Sequence, residues 1–177
     1  MTADLTAGSS RRLAGATDSQ ALDIGLLVLR VIFGGLMLVH GSQKLFGWFN
    51  GPGLQQTNAT FDQMGYNPGK VFGTLAGLCE FTGGALLLLG LLTPLGAAIV
   101  IGTMINAMNA TWKDGLAGYE SGLLFAAAAV TLAFAGPGRL SLDHGRPWGQ
   151  RGITWGGGAV VVAVVAALIT LALKWWM

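Results

Sequence analysis

The run Ile24–Phe46, IGLLVLRVIFGGLMLVHGSQKLF, decides the fold. A helix rises 1.5 Å per residue, so a stretch of this length extends about 35 Å, enough to cross the ~30 Å hydrocarbon core of a bilayer. Yet it carries Arg30, His40 and Lys44. A charged side chain near mid-bilayer costs roughly 3 kcal/mol on insertion scales, so such groups face a bundle interior and mark function. Working outward, further apolar runs fall at 71–92, 95–112, 116–135 and 153–173, and three of them also carry polar groups: Glu80, then Asn106 and Asn109, then Glu120.

Composition agrees with a membrane protein. The chain has 177 residues, 53% hydrophobic and only 10% charged, with a mean hydropathy of +0.60, against roughly 25% charged residues in an ordinary soluble domain. The expected architecture is an all-α transmembrane helix bundle: a four-helix up-and-down core plus a fifth C-terminal span. Its organisation reads as a polar tail over 1–23, the core over 24–137 (24–46, 71–92, 95–112, 116–135), a loop over 138–152 and the added span over 153–177. Glycines such as Gly73 and Gly77, four apart, suit close helix packing in lipid as well as simple gap-filling. The first apolar run is longer than the ~7–15 residues of a signal-peptide core, so it is kept as a span.

Charge sets orientation. Arg11, Arg12, Arg139, Arg146 and Arg151 fall on one side, Lys70, Lys113 and Lys174 on the other, which favours a cytoplasmic N-terminus. Trp48, Trp112, Trp175 and Trp176 then lie at the outer boundary, with Trp148 and Trp155 at the inner one, as an aromatic belt requires. Thr93-Pro94 leaves almost no loop between the second and third spans. The long outer connection, from Gly47 to Gly69, is bracketed by Asn50-Gly51-Pro52-Gly53 and Asn67-Pro68-Gly69. Between these turns Leu54, Phe61 and Met64 recur at helical spacing beside Gln55, Gln56, Asn58 and Asp62, the pattern of a short amphipathic helix on the membrane surface. It is either a connector or a lid.

Counted from each outer end, His40 lies about 9 Å deep, Lys44 about 3 Å, Glu80 about 14 Å, Asn106 about 9 Å, Asn109 about 5 Å and Glu120 about 6 Å. These six form the expected cluster. Arg30, roughly 24 Å deep by the same count, is expected to snorkel to the inner interface. Arg30, Gly34, Met37, His40, Gly41 and Lys44 share one stripe of the first helix, expected to face the bundle. A Glu80–His40 pair beside an apolar cavity suits proton exchange and a quinone, whose carbonyls need a donor; a register-fixing structural cluster is the plain alternative.

Other chemistries find little support. Cys79 is the only cysteine, which leaves no dithiol motif and makes an iron–sulfur cluster improbable. His40 and His144, in opposite halves, make a bis-His haem within one chain improbable. No metal-ligand spacing, phosphate loop or dinucleotide fingerprint is present, and a net charge of +2 gives no reason to invoke nucleic acid.

The segments Leu29-Arg30, His40-Gly41-Ser42-Gln43-Lys44-Leu45-Phe46-Gly47-Trp48-Phe49 and Gly51-Pro52-Gly53 resemble the first segment of the DoxX family of small bacterial membrane proteins. Glu80 with Gly83-Gly84, the run Leu88–Leu95, Gly118-Tyr119-Glu120 and Gly136–Asp143 extend the resemblance over about residues 22–143. Family bundles have four spans, so the fifth is a departure. The resemblance implies a protein of the bacterial plasma membrane: a redox-associated subunit of thiosulfate:quinone or quinol oxidase type, or a membrane partner of thiol and oxidative-stress enzymes. On this reading Glu80 and His40 carry the chemistry, with Lys44, Arg30, Asn106, Asn109 and Glu120 in support and quinone as the ligand. Expected partners are membrane lipid, a redox enzyme and further copies of the chain. Two rival readings are a non-catalytic scaffold recruiting soluble enzymes through Arg139–Arg151, and a carrier of a small apolar or acidic molecule.

Overall fold

The structure is a computed structural model and describes residues 19–176; Arg11, Arg12 and most of the expected polar tail lie outside the described residues. Helix α1 runs Ser19–Phe46 and contains a π-helical turn at Arg30–Gly34. Helix α2 spans Gly53–Gln63, α3 Gly69–Leu89, α4 Thr93–Thr111, α5 Leu116–Ala135 and α6 Ile153–Trp176. All but α2 are long and apolar enough to cross a membrane. The all-α transmembrane bundle read from hydropathy is therefore the observed fold. In one respect its edges differ from the hydropathy reading: α1 begins before Ile24, so Asp23 stands in a helix rather than in the tail.

Local chemistry sets the ends. Helix α1 stops at Gly47, which takes the left-handed conformation (φ 71°), and α3 stops in the same way at Gly90 (φ 61°). Beyond Gly90 the Leu91 N–H reaches back to the Leu86 carbonyl at 2.9 Å, a closure that favours glycine at this position. Pro94 then occupies the first turn of α4, where a missing N–H costs nothing. The start of α3 is capped from α2: the Gly69 N–H donates to Asp62 Oδ1 at 2.5 Å.

In lipid, helices associate by close packing rather than by hydrophobic transfer, and small residues permit the approach. Helices α1 and α3 touch at backbone distance. A Cβ on Gly84 would lie 2.5 Å from the Leu38 nitrogen and 2.8 Å from the Gly34 carbonyl oxygen, and Gly41 sits equally close to the Phe81 backbone. Gly73 meets Asn58 of α2, and Gly77 meets Leu45 and Lys44 of α1. Helix α4 is central, packed against α3, α5 and α6. It buries Ala97, Val100, Ile101 and Met104. The fifth span presents Ala159, Ala163 and Ala167, all buried, and the Ala163 carbonyl lies 3.2 Å from where a Gly102 Cβ would be. The opposite faces, including Val28, Val31 and Ile32 of α1 and Val161, Val165 and Leu168 of α6, are exposed as lipid-facing surfaces require.

Candidate functional site

One turn before Glu80 on α3, Gly77 lets α1 approach: a Cβ there would lie 2.8 Å from Leu45 Cδ2 and 3.3 Å from Lys44 Cβ. The result is an ion pair, Lys44 Nζ to Glu80 Oε2 at 2.5 Å, with the Glu80 side chain only 6% exposed and Lys44 25%. From α2, the Thr57 hydroxyl donates to the Lys44 carbonyl at 3.3 Å, tying the connecting helix to this end of α1. The pair forms one wall of a cavity of about 170 Å³. Asn106 and Thr103 of α4 line it, as do Phe61, Met64 and Tyr66 from α2 and its following loop.

A second cavity of about 220 Å³ lies between α3, α4 and α6 and shares Phe61, Tyr66, Ala76, Thr103 and Asn106 with the first. Its other lining residues include Leu75 and Ala166, both on the exposed surface of the bundle. Tyr66 stands where the two meet. It is 2% exposed, its hydroxyl donates to the Asn106 carbonyl at 3.3 Å and Oδ1 at 3.4 Å, and Lys174 Nζ lies 4.2 Å from its ring centre. Burial pushes the Tyr66 hydroxyl above its ordinary pKa, so it stays protonated and donating. Sequence reasoning passed over Tyr66, a lone aromatic in a Gly/Asn/Pro turn with no periodic signal.

The structure brings together part of the expected cluster. Lys44 and Glu80 join directly, and Asn106 lines their cavity while its amide donates to the Gly102 carbonyl at 3.0 Å. His40 turns toward α5, its ring edge-on to Phe125 with centroids 5.6 Å apart, and no hydrogen bond among the described residues joins it to Glu80. The stripe on α1 thus keeps Arg30, Gly34, Met37 and Gly41 buried, whereas His40 is exposed. Asn109 and Glu120 are also exposed.

Arg30 does not snorkel. It is 1% exposed, donating to the Leu88 carbonyl at 3.3 Å and to the Leu140 carbonyl. The reason is that the interface it was expected to reach is occupied by protein: the loop after α5 folds over it, and Gly90, having no side chain, leaves room for the guanidinium.

Two carboxylates complete this loop end, and neither stood among the expected site residues. Asp143, fully buried, accepts from the Leu92 N–H at 2.9 Å, the Thr93 N–H and hydroxyl at 2.8 Å each, and Trp148 Nε1 at 2.8 Å. Burial alone would raise its pKa, but the hydrogen bonds from Thr93, Trp148 and Leu92 outweigh that and hold it below the usual carboxylate range. Asp23, 5% exposed, accepts from Arg139 Nε at 2.7 Å and from its backbone N–H at 3.0 Å, with Arg151 at 3.8 Å. Among the described residues no group of three or more His, Cys, Asp or Glu is placed to hold a metal ion.

Five apolar helices long enough to cross a bilayer, two of them joined by an ion pair, define a multi-pass α-helical membrane protein. The family model of DoxX matches residues 25–113, half of the chain, and the chain belongs to the DoxX family. That stretch holds Arg30, Lys44, Tyr66, Glu80 and Asn106, while α5, the loop after it and α6 lie beyond it. No curated protein and no solved structure matches the chain.

Proposed function

We propose that the protein is a redox-associated membrane subunit that binds the head group of a lipid-soluble quinone at the Lys44–Glu80 cavity. One observation carries the reading: an ion pair forms the wall of a largely apolar cavity that shares its lining with a second one at the bundle's outer face. The residues fit such a ligand. A lysine ammonium has three donors, and one of them is spent on Glu80, which leaves others for a quinone carbonyl. Phe61, Tyr66 and Ala76 supply apolar walls. Glu80 Oε2, 2.5 Å from Lys44 Nζ, fixes the direction of the lysine side chain at the cavity wall.

When bound, a quinone supplies two-electron, two-proton chemistry. Proton exchange falls to the Lys44–Glu80 pair at the cavity wall. Electrons come from a partner redox enzyme, soluble or membrane-bound. The setting is the bacterial plasma membrane with the N-terminus in the cytoplasm, in line with the arginine bias of the loop end.

The test is extraction of the detergent-purified protein for quinone, together with titration of a short-chain quinone followed by tryptophan fluorescence. Lys44→Met and Glu80→Gln weaken binding by about tenfold or more, the scale set by loss of a charged hydrogen bond. Asn109→Ala and Glu120→Gln leave it unchanged. If no quinone co-purifies, none binds and Glu80→Gln is silent, the quinone reading falls. Loss of function on charge reversal across Arg139–Arg151 would then favour the scaffold.

A further inference from the structure

The loop end of the bundle carries a feature the quinone reading does not use. A cavity of about 370 Å³ is lined by Arg139, Arg146, Arg151, His144 and Asp23. Three arginines and one carboxylate therefore share its lining. Arg139 and Arg151 both turn to Asp23. Arg146 pairs with no carboxylate among the described residues and instead lies over the Trp148 ring, 5.9 Å from its centre.

The turn Pro147–Gly149 also borders an apolar cleft of about 180 Å³, lined by Leu92, Pro94, Leu95, Trp148 and Trp155. Trp148 thus belongs to the cleft and carries the unpaired arginine. Around the same end Leu140, Ile153 and Trp155 are exposed, with Ile153 at 83%. Cationic groups set beside exposed apolar side chains at the start of a membrane span match a lipid, whose anionic head and acyl chains are covalently joined. An acidic soluble segment would match the arginines and leave the cleft and Ile153 uncovered.

We infer that this end of the bundle is a binding site for an anionic phospholipid, its phosphate held by Arg146 with Arg151 and His144, and its chains lying along Trp148, Trp155 and the cleft. The site is independent of the Lys44–Glu80 cavity, which lies at the opposite end of α1 and α3.

The full chain, purified in mild detergent, is stripped of lipid and titrated with phosphatidylglycerol or phosphatidylcholine in micelles, with tryptophan fluorescence as readout and native mass spectrometry of retained lipid alongside. Phosphatidylglycerol is expected to bind more tightly and to be the lipid retained. Arg146→Gln, at an exposed position with no ion pair to break, weakens it about fivefold, and Arg146→Gln with Arg151→Gln weakens it further. Lys113→Gln at the other end has no effect. Equal affinity for the two lipids, an unaltered affinity in Arg146→Gln with an unchanged melting curve, or the same response to inorganic phosphate alone would each overturn the assignment.

Discussion

Asp143 and Thr93 stand fifty residues apart in the chain, and a single carboxylate oxygen of the first accepts both the backbone N–H and the hydroxyl of the second, at 2.8 Å each. The other oxygen takes the Leu92 N–H and the Trp148 indole. Helix α4 has no side-chain cap of its own; Asp143 supplies it from the loop after α5. Asp143→Ala leaves those donors buried and unpaired, and we expect it to lower stability by about 3 kcal/mol, read as a drop in melting temperature in detergent.

The same carboxylate predicts a pH response. Its folded pKa is depressed, so the stability it contributes is complete above the ordinary carboxylate value of about 4 and is lost as pH falls through the lowered folded value. Melting temperatures of wild type and Asp143→Asn, measured from pH 6 down to pH 3, should converge at the acid end, because the variant lacks this titration.

Lys44 and Glu80 are expected to behave as one unit. Removing either partner strands the other charge beside an apolar cavity, so Lys44→Met and Glu80→Leu should each destabilise more than the two together. A double-mutant cycle should return a coupling of roughly 1–3 kcal/mol, discounted toward the lower figure because Lys44 is a quarter exposed. Additive effects would show that the pair contributes nothing to the fold.

The contact between α1 and α3 predicts opposite outcomes for one chemical change at two glycines. Gly84→Ala drives a methyl into the backbone of α1 and should cost about 3 kcal/mol or more. Gly158→Ala in α6 meets nothing within 4 Å and should stabilise by up to ~1 kcal/mol through helix propensity. Thermal melts of the two single variants check the contrast.

Arg30 is held by two carbonyls from different parts of the chain, one at Leu88 on α3 and one at Leu140 in the loop. Lysine keeps the charge and loses the fork, so Arg30→Lys should loosen the loop while leaving the Lys44–Glu80 end intact. Limited proteolysis within 138–150 should accelerate in the variant, with quinone affinity unchanged.

Hydropathy alone locates the five spans, because a helix in lipid must be apolar over a length the bilayer dictates. Depth along each span also brings Lys44 and Glu80 to the same half, which is why both stand in the expected cluster, although the expected pair is Glu80 with His40 and the observed one is Glu80 with Lys44. Depth says nothing about rotation, and rotation decides His40: one position along the stripe from Gly41, it faces Phe125 rather than Glu80. Tyr66 and Asp143 carry no periodic signal at all. Each is a loop residue whose burial is created by elements distant in sequence, Asn106 and Lys174 for one, the turn between α3 and α4 for the other. Arg30 follows the same logic in reverse, since a rule about reaching water fails where a loop has taken the place of water.

The remote cap on α4 also orders events in time. Chains are made from the N-terminus, so when the turn between α3 and α4 is synthesised, the carboxylate that completes it does not yet exist. Leu92 and Thr93 present bare N–H groups until fifty further residues, the whole of α5 among them, have been synthesised. The loop after α5 therefore acts as a late clasp: it seals a joint laid down earlier, and a chain truncated before Asp143 would hold its first four spans with that joint open.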